Sequence, residues 1–323
     1  MNRSANPPTV SSAPVVGRGG WWMIKRGLIR LVVVYVGVCL VIGFLQRQLM
    51  YVPRRGPVTL DQAGELAPHI RGVTFTSQEG LALHGWLCLA DADSPIGLSQ
   101  PLSQLGSEDR LLVLMFAGNA GNRASRLSQL ALFRGLGCDA LLVDYRGYGD
   151  NAGTPSEKSF HADARVIWDH IISNWQVPAE RIVISGESLG GGVAVRLASD
   201  LSRAGQPPAA LVLRATFTSM VDAASYNYPW LPIHWLLIDR YESLPQMSTI
   251  DCPLLVYHGQ SDRVVPIEQG QRLFSAAPER SLSGVPRRFL EIPDADHNNI
   301  FQIGKPAITQ ALAELFQAIR PDS

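Results

Sequence analysis

Gly186-Glu187-Ser188-Leu189-Gly190 fits the pattern G-x-S-x-G, directly behind the apolar, β-branched run Ile182 to Ile184 and ahead of the small apolar stretch Gly192 to Ala198. On a sharp strand-to-helix turn this spacing pushes a serine hydroxyl out above a sheet, and glycines on either side tolerate the crowding. The helix that follows points its leading N–H groups and the positive end of its dipole at the place where an oxyanion forms. The chemistry implied is nucleophilic acyl transfer. The bland alternative is an ordinary strand-to-helix turn with an exposed serine, and the succession of strand, elbow and helix weighs against it. A dinucleotide fingerprint G-x-G-x-x-G starting at Gly190 fails at Val195.

A serine hydroxyl is a poor nucleophile until a base takes its proton, and the base needs an acid to hold its tautomer. Elbow enzymes run Ser, then Asp or Glu, then His along the chain, which removes His69, His84, His161 and His170. His258 ends a strand and His234 lies in an aromatic interval, which leaves His297, in Asp294-Ala295-Asp296-His297-Asn298-Asn299 after the last strand, as the base. Asp262, just past the strand Leu254 to Tyr257, is the acid by its place at a strand's C-terminal end, and Asp296 is the runner-up. Two backbone donors are needed for the oxyanion. Leu189 supplies one, and Asn119, in the loop Ala117-Gly118-Asn119-Ala120-Gly121-Asn122, the other. That loop lacks the Lys-Ser/Thr ending of a phosphate-binding loop. No His/Asp/Glu set has metal-ligand spacing, and neither metal nor cofactor is implied.

These residues need a scaffold that gathers strand ends. Gly72 to Thr76 and Leu81 to Leu89 read as a hairpin about Ser77-Gln78-Glu79-Gly80. Beyond Arg110, apolar runs at Leu111 to Phe116, Ala140 to Val143, Ile182 to Ile184, Ala210 to Leu213, Leu254 to Tyr257 and Arg288 to Ile292 alternate with helical stretches. The helical stretches include Arg123 to Leu136, Ser156 to Trp175 and a closing one from Pro306 to Ile319. Apolar runs without polar alternation mark strands covered on both faces. A hairpin followed by repeating β-α units is the layout of the α/β-hydrolase fold, a mostly parallel sheet flanked by helices. Residues 217–250 break the rhythm with Tyr226, Tyr228, Trp230, Trp235 and Tyr241; they read either as a short cap insertion or as a structural excursion.

With 323 residues, 46% of them apolar, and 28 basic against 28 acidic side chains, the chain holds one large domain plus an appendage. No basic excess exists to neutralise phosphates, so nucleic acid is excluded as a partner. The four cysteines are too few and scattered for a disulfide framework. Residues 1–20, rich in Pro, Ser, Gly and Ala, read as disordered; 21–50 read as a transmembrane anchor; and 51–323 read as the hydrolase domain, with a basic, Pro-containing linker over 46–70. The anchor's core, Leu28 to Leu45, carries a single charge, Arg30, and aromatics Trp21, Trp22 and Tyr51 flank it. A cleaved signal peptide competes, but Gln46-Arg47-Gln48 is no small-x-small site. Val38 before Cys39 argues against a lipoprotein box. The positive-inside rule favours a cytoplasmic N-terminus.

Several blocks together carry a resemblance. These are Phe116 to Asn122, Asp144-Tyr145-Arg146-Gly147-Tyr148-Gly149 with Gly153-Thr154-Pro155-Ser156-Glu157, Gly186 to Gly191, and His258-Gly259-Gln260-Ser261-Asp262. Over about residues 50–320 the chain resembles the membrane-anchored bud-emergence (Bem-type) α/β-hydrolases, a group with acyl-protein thioesterases among its relatives. The resemblance implies a serine hydrolase with Ser188, Asp262 and His297 as triad. Departures are Ala117 where the family usually has His before the glycine, Asn298-Asn299 after His297, and the lack of an N-terminal cysteine cluster, so depalmitoylation is not carried over.

The function expected is a membrane-tethered serine hydrolase acting on a small-molecule or lipid-like acyl ester or thioester. A peptidase on the same triad and a non-catalytic scaffold are the alternatives.

Overall fold

The computed structural model describes residues 18–91 and 110–320. The disordered stretch expected over 1–20 falls, but for 18–20, outside the described residues. Helix α1 spans Arg18–Met50. It runs past the apolar core because Gln46-Arg47-Gln48-Leu49 are good helix formers. Among the described residues it is the one helix long and apolar enough to cross a membrane. The chain divides into two units between Leu45 and Gln46, and the rest of the fold belongs to the second.

Among the described residues of that unit, eight strands form one sheet. They are β1 (Ile70–Thr76), β2 (Ala82–Cys88), β3 (Leu112–Phe116), β4 (Asp139–Val143), β5 (Ile182–Glu187), β6 (Ala210–Arg214), β7 (Leu254–Gly259) and β8 (Arg288–Ile292). Their spatial order is β1-β2-β4-β3-β5-β6-β7-β8. β2 runs antiparallel to β1 and β4, and the remaining pairs are parallel. This is the α/β-hydrolase fold.

The apolar runs are continuous because both faces are covered. Leu114, Ile182 and Ile184 face one core, with Phe160, Ile167 and Trp168 of α3 (Glu157–Ser173) and Val193 and Leu197 of α4 (Leu189–Arg203). Val113, Met115 and Val183 face the other, with Leu130 and Phe133 of α2 (Leu127–Gly135) and Leu312 and Phe316 of a closing helix over Ile300–Ile319. Each such side chain contributes about 1.5–3 kcal/mol on burial, so the sheet's centre is fixed from both sides.

The structure adds to or departs from the sequence reading at four places. The linker expected over 46–70 holds 3₁₀ turns over Leu60–His69, kinked where Gly64 takes φ 54°. Residues 123–126 form a tight 3₁₀ turn, because a capping box between Asn122 and Ser125 closes it before α2 begins. Within 217–250 lie α5 (Met220–Asn227), the short α6 (Ile233–Leu236) and a 3₁₀ turn at Leu244–Thr249. An unexpected helix, α7 (Ile267–Ala276), follows Pro266 and buries Ile267, Gly270 and Leu273; the closing helix is α8.

Candidate active site

Strand order reverses at β3, which lies between β4 and β5. Loops leaving the C-terminal ends of β3 and β5 diverge there, and such a crevice is where open α/β sheets hold their ligands. The pairing of Phe116 with Gly186 brings Ala117–Asn122 beside Ser188. A Cβ on Gly190 would lie 2.1 Å from the Phe116 carbonyl oxygen, and one on Gly186 would lie 2.6 Å from the Gly190 oxygen. Only glycine fits this turn at those two places. Ser188 sits at φ 50°, ψ −114°, a strained conformation for a residue with a Cβ. It is held there by its N–H donating to the Arg214 carbonyl at 2.9 Å and by the Thr216 hydroxyl donating to its carbonyl at 2.8 Å.

The Ser188 Oγ lies 3.0 Å from His297 Nε2, and His297 Nδ1 lies 2.7 Å from Asp262 Oδ2. Loops after β7 and β8 set this line. The Ser261 N–H donates to the Ala295 carbonyl at 2.9 Å, and a Cβ on Gly259 would lie 2.5 Å from that same oxygen. Asp262 is buried, and its other oxygen accepts from the N–H groups of Val264 and Val265 at 2.9 and 2.8 Å. Burial alone would raise its carboxyl, yet hydrogen bonds from His258 and His297, with the Val265 N–H, hold it far below the usual carboxylate range. Asp262 is therefore an anion throughout the physiological range. Asp296, the runner-up for this place, turns instead to the N–H groups of Asn298 and Asn299, both at 2.8 Å, at the start of α8.

His258 is a partner the sequence reading left unused. Fully buried, it donates from Nε2 to the Val265 carbonyl at 2.8 Å, with Asp262 Oδ2 3.3 Å from the same nitrogen. Both imidazoles thus meet Asp262 at the same oxygen, Oδ2. The place of His258 in the block that ends at Asp262 was the available signal.

Leu189 opens α4, so its N–H is one of the leading groups with no intrahelical acceptor. Asn119 lies in the loop across from it. Its carbonyl accepts from the Val52 N–H at 3.0 Å and from the Tyr148 hydroxyl at 2.7 Å, and its Nδ2 donates to the Met50 carbonyl at 2.9 Å. The Tyr145 hydroxyl donates to the Ala117 carbonyl at 2.8 Å. Where Ala117 gives no side-chain brace, two tyrosines and the chain after α1 hold the loop.

A cavity of about 350 Å³ opens beside Ser188 and His297, lined by Gly118, Asn119, Arg126, Glu187 and Arg214 among others. Glu187 Oε2 lies 3.0 Å from Arg126 and 3.3 Å from Arg214, so two guanidinium groups share one carboxylate at the cavity wall. Sequence reasoning missed both arginines. Arg214 carried a signal, being a charge at the C-terminal end of a buried strand; Arg126 carried none. No residue of 217–250 lines this cavity. Among the described residues no group of His, Cys, Asp and Glu is arranged to hold a metal ion.

Residues 128–317 match the prolyl oligopeptidase family. An uncharacterized protein of Mycobacterium tuberculosis, Rv2307c, is 39% identical over 263 residues, covering 81% of this chain and 84% of that protein. Lysophosphatidylserine lipase ABHD12 of Danio rerio is 28% identical over 340 residues, covering 94% of this chain and 86% of the lipase. The solved structure of Pyrococcus furiosus esterase Pf2001 superposes with a TM-score of 0.61 at 20% identity, covering 83% of this chain and 97% of that one. At that identity the likeness is one of fold.

Proposed function

We propose that this chain, which belongs to the prolyl oligopeptidase family of the α/β-hydrolase superfamily, is a membrane-tethered serine hydrolase that opens carboxylic ester or thioester bonds through an acyl-enzyme. The observation that carries the reading is the line of hydrogen bonds from Asp262 through His297 to Ser188 Oγ, which ends on a serine held at a positive φ. Asp262 accepts a hydrogen bond from the N–H at His297 Nδ1, so the lone pair on Nε2 faces the serine hydroxyl. Ser188 Oγ attacks the carbonyl carbon as Nε2 takes its proton, and the N–H groups of Leu189 and Asn119 receive the oxyanion. Collapse breaks the bond to the alkoxide or thiolate, which takes the proton from His297. A water molecule then repeats the sequence on the acyl-Ser188, releasing the carboxylic acid and restoring the serine.

Ester hydrolysis at a general level is supported by the likeness to the lysophosphatidylserine lipase, which also favours a lipid-like acyl substrate. The arginine pair beside Glu187 suits the polar end of such a molecule. A peptidase on the same residues is the second reading, favoured by the family that 128–317 match. Within the superfamily, the blocks singled out in the sequence point to the bud-emergence type. The tether is α1, with Trp21–Met50 apolar enough to span a bilayer; we take it as uncleaved, with the N-terminus in the cytoplasm.

Labelling with a fluorophosphonate probe tests the reading. Wild-type protein is expected to label, and Ser188→Ala and His297→Ala not to. A folded wild type that resists the probe would make the chain a scaffold, and turnover of peptide amides with no turnover of esters would make it a peptidase.

A further inference from the structure

We propose that residues 226–238 form a face that sits in the headgroup region of the bilayer, so that the domain lies against the membrane surface instead of hanging free on its tether. The proposal rests on the reading of α1 as a membrane anchor. Exposed apolar side chains occur singly on most soluble proteins, but a cluster of large ones marks a surface with a partner. Here Tyr226, Tyr228, Trp230, Trp235 and Ile238 are all exposed within thirteen positions, Trp235 at 90% and Ile238 at 64%. Tryptophan and tyrosine, with an apolar body and a polar edge, are the side chains favoured where hydrocarbon meets water.

Hydrogen bonds say which surface covers them. Gln46 Nε2 donates to the Leu236 carbonyl at 3.0 Å, and the Ile238 N–H donates to Gln46 Oε1 at 2.7 Å. Arg47 grips Asp239 with two bonds of 2.8 and 2.9 Å, and the Tyr51 hydroxyl donates to the same carboxylate at 2.9 Å. Gln46 is the first residue after the apolar run that ends at Leu45. Chain connectivity alone therefore keeps Gln46 at the edge of the hydrocarbon when that run crosses a bilayer, and Leu236 and Ile238 are one hydrogen bond away. Arg54 and Arg55, exposed a few residues on, offer charge to anionic headgroups.

The face is rigidly mounted. Glu157, the first residue of α3, accepts from the N–H groups of Arg240 at 2.6 Å and Tyr241 at 3.0 Å, and the Tyr241 ring packs against Gly192 in the helix behind Ser188. At its other end Asn227 Nδ2 donates to the Val264 carbonyl at 2.9 Å, two residues from Asp262. A bilayer held at this face lies beside the loop that carries the acid, which suits a substrate drawn from the membrane.

The test uses the full chain in liposomes of phosphatidylcholine and phosphatidylglycerol. A nitroxide is attached through Trp235→Cys, and through Arg165→Cys on the exposed side of α3 as the aqueous control; the wild type, whose cysteines are buried, gives the background. The label at 235 is expected to collide with oxygen several-fold more, and with a water-soluble nickel chelate several-fold less, than the label at 165. Equal values in a chain that resists carbonate extraction overturn the proposal. So does shielding of 235 from both reagents with cross-linked dimers, which would make the face a contact between copies. Release by carbonate removes the tether and this proposal with it. As a second arm, Trp235→Ala with Ile238→Ser is expected to keep full fluorophosphonate labelling and soluble-ester turnover while losing several-fold on a vesicle-borne acyl ester. A wild type without labelling ends the hydrolase reading, and the depth result still decides the membrane face.

Discussion

On one side of Ser188 the chain meets itself through backbone: the turn at Gly186–Gly190 presses against the Phe116 carbonyl, at the end of the neighbouring strand, at distances no Cβ could share. On the other side, the loop 117–122 is held by groups from far along the chain, the hydroxyls of Tyr145 and Tyr148, the N–H of Val52 and the carbonyl of Met50. The first construction is steric and has no slack. The second is a set of separable hydrogen bonds, each worth about 0.5–1.5 kcal/mol net. The two sides are therefore expected to fail differently, one as a unit and the other by degrees.

Gly190→Ala is the harshest probe of the steric side. Its Cβ would need the Phe116 and Ala117 backbone to withdraw from 2.1 and 2.5 Å, at a cost of more than about 3 kcal/mol, at or above the upper end of ordinary overpacking. Denaturant unfolding should show the loss, and fluorophosphonate labelling should vanish with it. A variant of wild-type stability that still labels would show that the turn has room, and the contrast between the two sides would collapse.

Asp262→Asn comes next, with stability lowered at neutral pH by the lost carboxylate bonds and turnover lowered by roughly 10⁴-fold, since an amide holds the imidazole in the wrong tautomer. A pH series sharpens it. The folded carboxyl is held below its unfolded value, so its contribution to stability is present above the unfolded pKa of about 4 and is lost as pH falls towards the folded one. The stability difference between wild type and Asp262→Asn should be flat from neutral pH down to about 5 and shrink below about 4. A difference that instead shrinks between pH 6 and 8 would place the titration on another group.

What could be read from the sequence divides along the same line. The elbow is five adjacent residues, and His297 and Asp262 follow from chain order and strand ends, so the local side was legible. The alternation of apolar runs and helices marked six of the eight strands, because burial on both faces leaves its mark in composition, and the turn at Ser77–Gly80 marked the hairpin of the other two. The braces of loop 117–122 were not legible: Tyr145 and Tyr148 act across 28 and 29 positions, and a motif block shows that residues belong together without saying which oxygen a hydroxyl reaches. The aromatics of 217–250 were visible as a group, yet their density did not show that Tyr241 is buried while Trp235 is bare. Helix α7 went unread because a buried Gln269 interrupts its apolar face.

Tyr148→Phe should then be mild. It removes one donor to the Asn119 carbonyl while the Val52 N–H keeps its own bond there, so kcat is expected to fall about three- to tenfold with KM little changed. Tyr145→Phe, which frees the Ala117 carbonyl, should behave alike, and the double variant should lose more than the product of the two if both hold one rigid loop. Strict additivity would mean that the hydroxyls act on independent parts of the loop.

The smallest expected effect separates backbone from side chain within Asn119 itself. In the proposed reaction the donor is its N–H, and its side chain serves only to reach the Met50 carbonyl. Asn119→Ala keeps the donor and loses that anchor, so turnover should fall by less than about tenfold, the equivalent of one neutral hydrogen bond. An asparagine whose amide itself received the oxyanion would instead cost about 10²- to 10³-fold in kcat when truncated. Measuring kcat for Asn119→Ala on a soluble ester, with fluorophosphonate labelling rates alongside, decides between the two. A loss of the larger size would swing the amide away from Met50 and into the cavity during the reaction, and this side of the site would then depend on a moving side chain instead of a braced loop.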